Sequence, residues 1–146
     1  MTPSLYVDTS ALAKWYLNEP ASRRFEDYIR VQLTPPAVST LTLLELRCLL
    51  GRRRRAGDID SRNEQQAVAA LELQIRVGLI EVFPLEDAHA RGAIDLLAEQ
   101  PQFPLRTLDA LHLAIALALR VRTLATSDRL MAEVAGSLGL EVEVFL

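Results

Sequence analysis

The hydrophobic pattern along the chain predicts short buried strands separated by helices. Largely apolar runs that end at a polar residue or a proline predict strands over 5–7, 37–39, 79–84 and 123–126. A fifth segment, 140–145, alternates apolar and charged residues, which is typical of an edge strand. Because strands and helices alternate, the pattern favours a mostly parallel sheet with helices on both faces.

Apolar residues at helical spacing predict that the segments between these strands are helices. The predicted helices cover 11–17, 20–33, 40–57 or a shorter form ending near Gly51, 60–77, 86–99, 107–119 and 129–138. Thr9 or Ser10 is the expected N-cap of the first helix, and Thr40 or Thr42 is that of the third. Gly78 suits the position just after a helix, because glycine adopts the left-handed conformation without strain.

The segment from Ala110 to Leu119 is the most apolar of the predicted helices, since His112 is its only polar residue. A helix that is apolar on all sides is buried in a core or lies in a membrane. This apolar run is too short to cross a bilayer, which needs about 20 residues. We therefore expect a central core helix with Asp109 in its first turn, and no membrane-spanning segment.

Two acids define the expected order of the strands. Asp8 directly follows the first strand, and Asp128 follows the fourth after one serine. In open parallel sheets, ligands bind beyond the carboxyl ends of the strands, where the winding reverses. Both acids reach one site only if the first and fourth strands are neighbours, as in the order 3-2-1-4-5. The chain is therefore predicted to form one α/β domain over 1–146, a doubly wound α/β/α sandwich.

The composition restricts which metal ligands and disulfides are possible, but it does not identify a binding partner. The net charge of −3 gives no indication of nucleic-acid binding, and the single cysteine, Cys48, excludes an internal disulfide. The two histidines lack the spacing of a zinc site, so any metal is expected to bind through oxygen. Nothing at the start of the chain resembles a signal peptide, which favours a cytoplasmic location.

Four acids are candidates for chemistry. Asp8, Asp109 and Asp128 lie near predicted helix starts, where capping alone explains each of them. Glu45 is different, because it lies on an apolar face of the third predicted helix. Burying an unpaired carboxylate costs several kcal/mol, so Glu45 needs either a site shared with the other acids or a salt bridge to an arginine.

Together, the acids predict a metal site. Four carboxylates in one crevice repel one another unless a divalent cation neutralises them, and an all-oxygen ligand set selects Mg²⁺ or Mn²⁺. Such sites commonly act on phosphate esters. A phosphate-accepting receiver or phosphatase-like domain fits poorly, because it needs paired acids at the first strand and a late lysine, and Lys14 is the only lysine. A non-catalytic binding or scaffold domain remains the alternative.

Four motifs carry a resemblance to a known family. They are Val7-Asp8-Thr9-Ser10-Ala11-Leu12, Leu44-Glu45-Leu46, Thr107-Leu108-Asp109-Ala110-Leu111-His112-Leu113-Ala114 and Ala125-Thr126-Ser127-Asp128. In this order and at this spacing they resemble the PIN-domain ribonucleases, and among these the VapC-like toxins of bacterial and archaeal toxin–antitoxin pairs. The resemblance extends over residues 5–144.

The resemblance implies a fold, an activity and partners. It implies an α/β/α sandwich and an endoribonuclease that uses Mg²⁺ or Mn²⁺ to hydrolyse RNA. It further implies a homodimer and inhibition by a small VapB-like antitoxin. By position, three core catalytic acids and a fourth, less uniform one fall on Asp8, Glu45, Asp109 and Asp128. Ser10 and Thr126 fall where the family often has hydroxyls that orient a carboxylate or a metal-bound water.

Two further features have more than one interpretation. His112 follows Asp109 by three residues and could reach RNA, but a core histidine with both ring nitrogens hydrogen-bonded is the favoured interpretation. The run Arg52–Arg55 lies at a predicted helix end. It could bind the RNA backbone, or it could simply be a solvated last turn in which positive charge suits the helix dipole.

Overall fold

The first predicted strand lies at the centre of a five-stranded sheet in the computed structural model, which describes residues 2–146. The strands are β1 (Leu5–Val7), β2 (Ala37–Ser39), β3 (Glu81–Phe83), β4 (Thr123–Thr126) and β5 (Glu141–Val144). Their order in the sheet is β3-β2-β1-β4-β5, and every strand pairing is parallel. The predicted α/β fold and strand order are confirmed, including the contact between the first and fourth strands.

Seven α-helices cover the two faces of this sheet. They are α1 (Thr9–Leu12), α2 (Ser22–Arg30), α3 (Thr40–Arg55), α4 (Ser61–Arg76), α5 (Asp87–Glu99), α6 (Thr107–Leu119) and α7 (Arg129–Ser137), and a 3₁₀ turn, Ala13–Trp15, follows α1. Alternate residues of a strand point to opposite faces. Leu5 and Val7 therefore pack into a core with α1 to α4, whereas Tyr6 packs into a second core with α5 to α7.

The N-caps of the first and third helices lie one residue or more before the predicted ones. Asp8, rather than Thr9 or Ser10, caps α1 by accepting a 3.0 Å hydrogen bond from the Ala11 N–H. Ser39, rather than Thr40 or Thr42, caps α3. The reason is that each strand runs directly into its helix, so the last extended residue already points its side chain at the free N–H groups of the first turn.

The second helix is shorter than predicted, whereas the third takes the longer of its two predicted forms. α2 begins at Ser22 instead of Pro20, because the Ser22 hydroxyl closes the preceding turn by accepting from the Glu19 N–H and donating to the Leu17 carbonyl. α3 continues through Gly51 to Arg55, and the chain reverses at Gly57, whose φ of +83° is unstrained only for glycine.

The helix α6 forms the middle of the second core, as predicted. Its buried residues are Ala110, His112, Leu113, Ala114, Ile115 and Ala116. The last turn is more open, since Leu117 is exposed. Within residues 2–146, no helix is both long enough and apolar enough to cross a membrane.

Candidate active site

Four carboxylates line one pocket at the carboxyl edge of the sheet. The pairing of Val7 with Ala125 places Asp8, at the end of β1, beside the turn that follows β4 and carries Asp128. Glu45 comes from α3, and Asp109 from the first turn of α6. All four line a pocket of about 490 Å³. The structure thus brings together the four acids selected from the sequence.

Asp8 is the most deeply buried of the four, with only 3% of its surface exposed. Its Oδ1 accepts hydrogen bonds from the Ser10 hydroxyl (2.7 Å) and the Ala11 N–H (3.0 Å). Its Oδ2 accepts a 2.5 Å hydrogen bond from Thr126. Burial raises the pKa of Asp8 above its ordinary value, although His112 and these hydrogen bonds oppose the shift. In the chain from residue 2 onward, no cation lies within ion-pair distance of this carboxylate.

The hydroxyls of Ser10 and Thr126 connect Asp8 to the β4 edge. Ser10 Oγ accepts a 2.8 Å hydrogen bond from the Ser127 N–H and lies 3.3 Å from Thr126 Oγ1. Thr126 Oγ1 accepts a 3.0 Å hydrogen bond from the Asp128 N–H. Both hydroxyls therefore contact Asp8 directly, and together they fix the turn that carries Asp128.

Asp109 and Asp128 form a second, more open pair. Burial raises the pKa of Asp109, and the charge of Asp128 raises it further. Arg106 Nε lies 3.6 Å from Asp109 Oδ2, but the arginine side chain is 81% exposed, so this ion pair is weak. Asp128 also caps α7 by accepting a 3.1 Å hydrogen bond from the Met131 N–H. Capping and a place in the pocket are therefore compatible.

Glu45 pairs with His112 rather than with an arginine. His112 Nε2 hydrogen-bonds to Glu45 Oε1, and the Thr9 hydroxyl donates a 2.8 Å hydrogen bond to the same oxygen. Burial alone raises the pKa of Glu45. The hydrogen bond and charge of His112, the Thr9 hydroxyl and the charge of Arg52 outweigh burial, and the net pKa lies below its ordinary value.

His112 is a buried histidine with both ring nitrogens hydrogen-bonded, as the favoured interpretation expected. Its Nδ1 lies 2.6 Å from the Tyr6 hydroxyl. That hydroxyl lies 3.0 Å from Ser39 Oγ and 3.4 Å from Thr42 Oγ1, and burial raises its pKa. The contact between His112 and Glu45 was not predicted from the sequence. The available signal was a carboxylate on an apolar helix face that needed a donor.

The walls of the pocket combine apolar and basic side chains. Leu41, Leu44, Cys48, Leu49 and Leu108 supply the apolar part. Leu44 is 63% exposed, and Cys48 is exposed rather than buried in the core. Arg52 and Arg106 also line the pocket. Within the arginine run, Arg53 and Arg54 instead form ion pairs with glutamates outside the pocket.

The donor set suits a hard divalent cation. It consists of carboxylate oxygens, two of these groups have raised pKa values, and lysine does not line the pocket. Carboxylate oxygens are the ligands that Mg²⁺ and Mn²⁺ prefer. Across residues 2–146, however, no three His, Cys, Asp or Glu side chains converge into a compact metal-binding cluster. The four acids share a pocket without closing around one point.

Comparison with protein families and curated sequences gives two matches. The PIN domain family matches residues 5–137 of the chain. The chain is also 32% identical over 142 residues to Ribonuclease VapC46 of Mycobacterium tuberculosis, and the alignment covers 95% of each protein.

Solved structures with the same fold include toxins and toxin–antitoxin assemblies. The Sarcin-Ricin loop cleaving toxin VapC20 of Mycobacterium tuberculosis superposes with a TM-score of 0.72 at 18% identity, covering 90% of this chain and 95% of VapC20. A toxin–antitoxin complex from Klebsiella pneumoniae gives 0.65 at 20% identity and covers 98% of both chains. VapBC2 from Rickettsia felis, bound to a DNA fragment from its promoter, gives 0.69 at 17% identity, covering 97% of this chain and 98% of that one.

Proposed function

Since this chain belongs to the PIN-domain family, we propose that its four-carboxylate pocket hydrolyses internal phosphodiester bonds of RNA with the help of Mg²⁺ or Mn²⁺. Homology to VapC46 along nearly the full length of both proteins makes it a VapC-like ribonuclease toxin of a toxin–antitoxin system. The observation that carries the metal-dependent mechanism is the placement of four carboxylates around one pocket where the winding of the sheet reverses.

In this proposal Asp8, Glu45 and Asp109 hold the principal ion. Asp128 completes its surroundings or holds a second ion when RNA binds. The bound ion would supply positive charge for the phosphate oxygens and lower the pKa of a water molecule. The two raised pKa values support this assignment, because a nearby divalent cation would stabilise the charged carboxylates that burial and mutual repulsion disfavour.

The chain's own residues would prepare the site for RNA. Ser10 and Thr126 hold the Asp8 carboxylate in one orientation, so no rearrangement is needed when substrate arrives. Arg52 and Arg106 lie at the pocket wall, where their charges would attract phosphates on either side of the reacting one. The apolar side chains between them would support the sugars and bases.

The partners follow from the same homology. We propose a cognate VapB-like antitoxin that inhibits the enzyme by covering the pocket, and the exposed Leu44 and Leu108 offer an apolar rim for it to bury. A homodimer and a cytoplasmic location are part of the proposal, as is a single domain over 1–146. The PIN match over residues 5–137 supports the last of these.

RNA cleavage tests the proposal directly. Total RNA and intact ribosomes would be incubated with the purified chain and Mn²⁺, and cut positions mapped by 5′-end sequencing, which detects even a single target. We expect discrete cuts that disappear with EDTA. Asp8→Asn should reduce cleavage at least a hundredfold, because the most deeply buried carboxylate would no longer bind the ion.

The matched control is Asp95→Asn, since Asp95 is an exposed acid on α5 that does not line the pocket. It should cut like the wild type. Metal-independent cuts, or equal cutting by Asp8→Asn, would contradict the mechanism. Complete absence of cleavage in both RNA preparations would instead favour a non-catalytic scaffold domain.

A further inference from the structure

The Glu45 carboxylate is held through one of its two oxygens. Oε1 receives both the Thr9 hydroxyl and His112 Nε2. In the part of the chain from residue 2 to residue 146, Oε2 accepts no hydrogen bond from a protein group. One oxygen is therefore fixed to the protein, and the other remains available to the pocket that Glu45 lines.

The chemistry of the Glu45 carboxylate assigns the direction of its contact with His112. An ionised carboxylate can only accept, so the proton in this contact belongs to His112 Nε2. The other ring nitrogen, Nδ1, lies 2.6 Å from the Tyr6 hydroxyl, which donates to a neutral ring and accepts from a charged one. In either form, the hydroxyls of Ser39 and Thr42 complete the hydrogen bonding of the Tyr6 oxygen.

We call this chain of hydrogen bonds, which leads from the start of α3 to Glu45, the relay. Its side chains are largely buried and lie on strands and helices. Tyr6 is fully buried on the central strand β1, and His112 is only 3% exposed on the core helix α6. Ser39 and Thr42 form the capping box of α3, the helix that carries Glu45. The relay therefore starts and ends on α3 and passes through β1 and α6, so it sets the position of the Glu45 side chain relative to both.

Asp109 lies one turn before His112 on α6. The contact between His112 and Glu45 therefore links α6 to α3. These two helices carry Asp109 and Glu45, the two acids that do not follow a strand. A loss of this contact would free Glu45 to rotate away from Asp109 without unfolding either helix.

We propose that His112 is a positioning residue, which holds Oε1 of Glu45 and thereby directs Oε2 toward the metal ion and the reacting phosphate. This inference rests on the proposed function, because it assigns a role to Glu45 as a ligand. His112 also lines the pocket, but both of its ring nitrogens are hydrogen-bonded to Tyr6 and Glu45, so it would act through Glu45 rather than on the RNA or the ion. Residues that orient a metal ligand in this way commonly change metal affinity or activity by about 10- to 100-fold when replaced.

Mn²⁺ binding to the full chain tests the proposal without relying on activity. The Kd would be measured by electron paramagnetic resonance of free Mn²⁺ for the wild type, His112→Phe and His112→Gln, each also combined with Glu45→Gln. We expect His112→Phe to weaken binding about tenfold. His112→Gln should stay within about threefold of the wild type, since its amide N–H can still donate to Glu45.

The double variants separate positioning from general damage. If His112 acts through Glu45, His112→Phe should weaken Mn²⁺ binding no further once Glu45→Gln is present. Equal losses in both backgrounds would overturn the proposal, as would wild-type affinity in His112→Phe. If His112→Phe does not fold, His112→Asn replaces it, because its shorter amide can still hydrogen-bond to the Tyr6 hydroxyl in place of Nδ1 but does not reach Glu45.

Cleavage provides the second readout. His112→Phe should lower kcat about tenfold with KM nearly unchanged, because it alters the reacting centre and not the RNA-binding wall, and His112→Gln should restore most of the loss. If the wild type neither binds Mn²⁺ nor cleaves RNA, the proposed function fails and this inference falls with it. If the wild type does both and His112→Phe matches it, only this inference fails.

Discussion

The Thr126 hydroxyl donates a 2.5 Å hydrogen bond to Oδ2 of Asp8, and this bond joins the carboxyl ends of the two neighbouring strands β1 and β4. The same hydroxyl accepts from the Asp128 N–H. Thr126 therefore positions two of the four acids. It holds the buried Asp8 carboxylate at the end of β1, and it holds the turn after β4 that carries Asp128. This arrangement makes Thr126 a sensitive position for both stability and activity.

Thr126→Val should lower the free energy of unfolding at pH 7 by about 1.5–3 kcal/mol, because it leaves a buried carboxylate oxygen without its donor while keeping the shape of the side chain. Urea unfolding measures the change. Thr126→Ser keeps the hydroxyl and should lose less than half as much. A valine variant as stable as the wild type would mean that this hydrogen bond contributes nothing to the fold.

Asp109→Asn should abolish stabilisation by Mn²⁺ without lowering the melting temperature in EDTA. The neutral asparagine avoids the two unfavourable effects that raise the pKa of Asp109, which are the burial of a charge and the repulsion from Asp128. For the wild type, 10 mM Mn²⁺ and a millimolar Kd would give about 1.4 kcal/mol, or a rise of about 3–6 °C. Thermal melting with and without Mn²⁺ checks this, with Asp95→Asn as a control that retains the rise. A rise in Asp109→Asn equal to that of the wild type would exclude Asp109 as a ligand.

Without metal, lowering the pH should stabilise the wild type relative to Asp8→Asn. The folded pKa of Asp8 is raised, so the folded protein binds this proton more tightly than the unfolded chain does. At pH 7 the wild type should be the less stable of the two, by about 1.4 kcal/mol for each pKa unit of the shift. The difference should shrink as the pH falls through the raised pKa, and it should vanish below about pH 4. Urea unfolding in EDTA from pH 7 to pH 4 measures it.

Glu45→Gln should have the opposite pH dependence. The net pKa of Glu45 is lowered, so its ionised form stabilises the folded state above the ordinary pKa of about 4.3, and this contribution is lost as the pH falls through the lowered value. Glu45→Gln should therefore be less stable than the wild type at pH 7, and the difference should shrink only below about pH 4.3, so the urea series is extended below pH 4 for this variant. Parallel curves for Asp8→Asn and Glu45→Gln would contradict the distinct environments of the two carboxylates.

Arg52→Gln should raise KM for RNA about threefold to tenfold and leave kcat within about twofold. Arg52 lines the pocket, whereas Arg55 on the same helix end does not, so Arg55→Gln is the matched control. The salt dependence of RNA binding should also fall by about one phosphate contact in Arg52→Gln only. Equal effects of the two substitutions would indicate a diffuse basic surface rather than a phosphate contact at the pocket.

Much of the fold was predictable because its signals are local. The apolar run of α6 predicted a core helix, and acids at two strand ends predicted that β1 and β4 are neighbours. The predicted N-caps of α1 and α3 were wrong by one residue or more. Each of these helices follows a strand directly, and the polar residue at the end of the strand becomes the cap. Asp8 therefore both caps α1 and lines the pocket, although these two roles were predicted as alternatives.

The partner of Glu45 could not be predicted in this way. The apolar surroundings of Glu45 indicated that it needed one, but His112 lies 67 residues further along the chain. The contact depends on where the fold places α6 relative to α3, and no local spacing in the sequence encodes that placement. Cys48, similarly, lies in a largely apolar stretch of sequence, yet it lines the pocket and is exposed.

The order of the sheet also decides when this protein can become harmful to the cell that makes it. A ribosome synthesises β1 and Asp8 well before β4 and Asp128, although β1 and β4 are neighbours in the sheet. A growing chain that ends before residue 123 lacks the Thr126 hydroxyl, one of the four acids and a neighbour for the central strand. The pocket is complete only after β4 and Asp128 have been translated, so a translation product interrupted before them carries Asp8 but not the finished site.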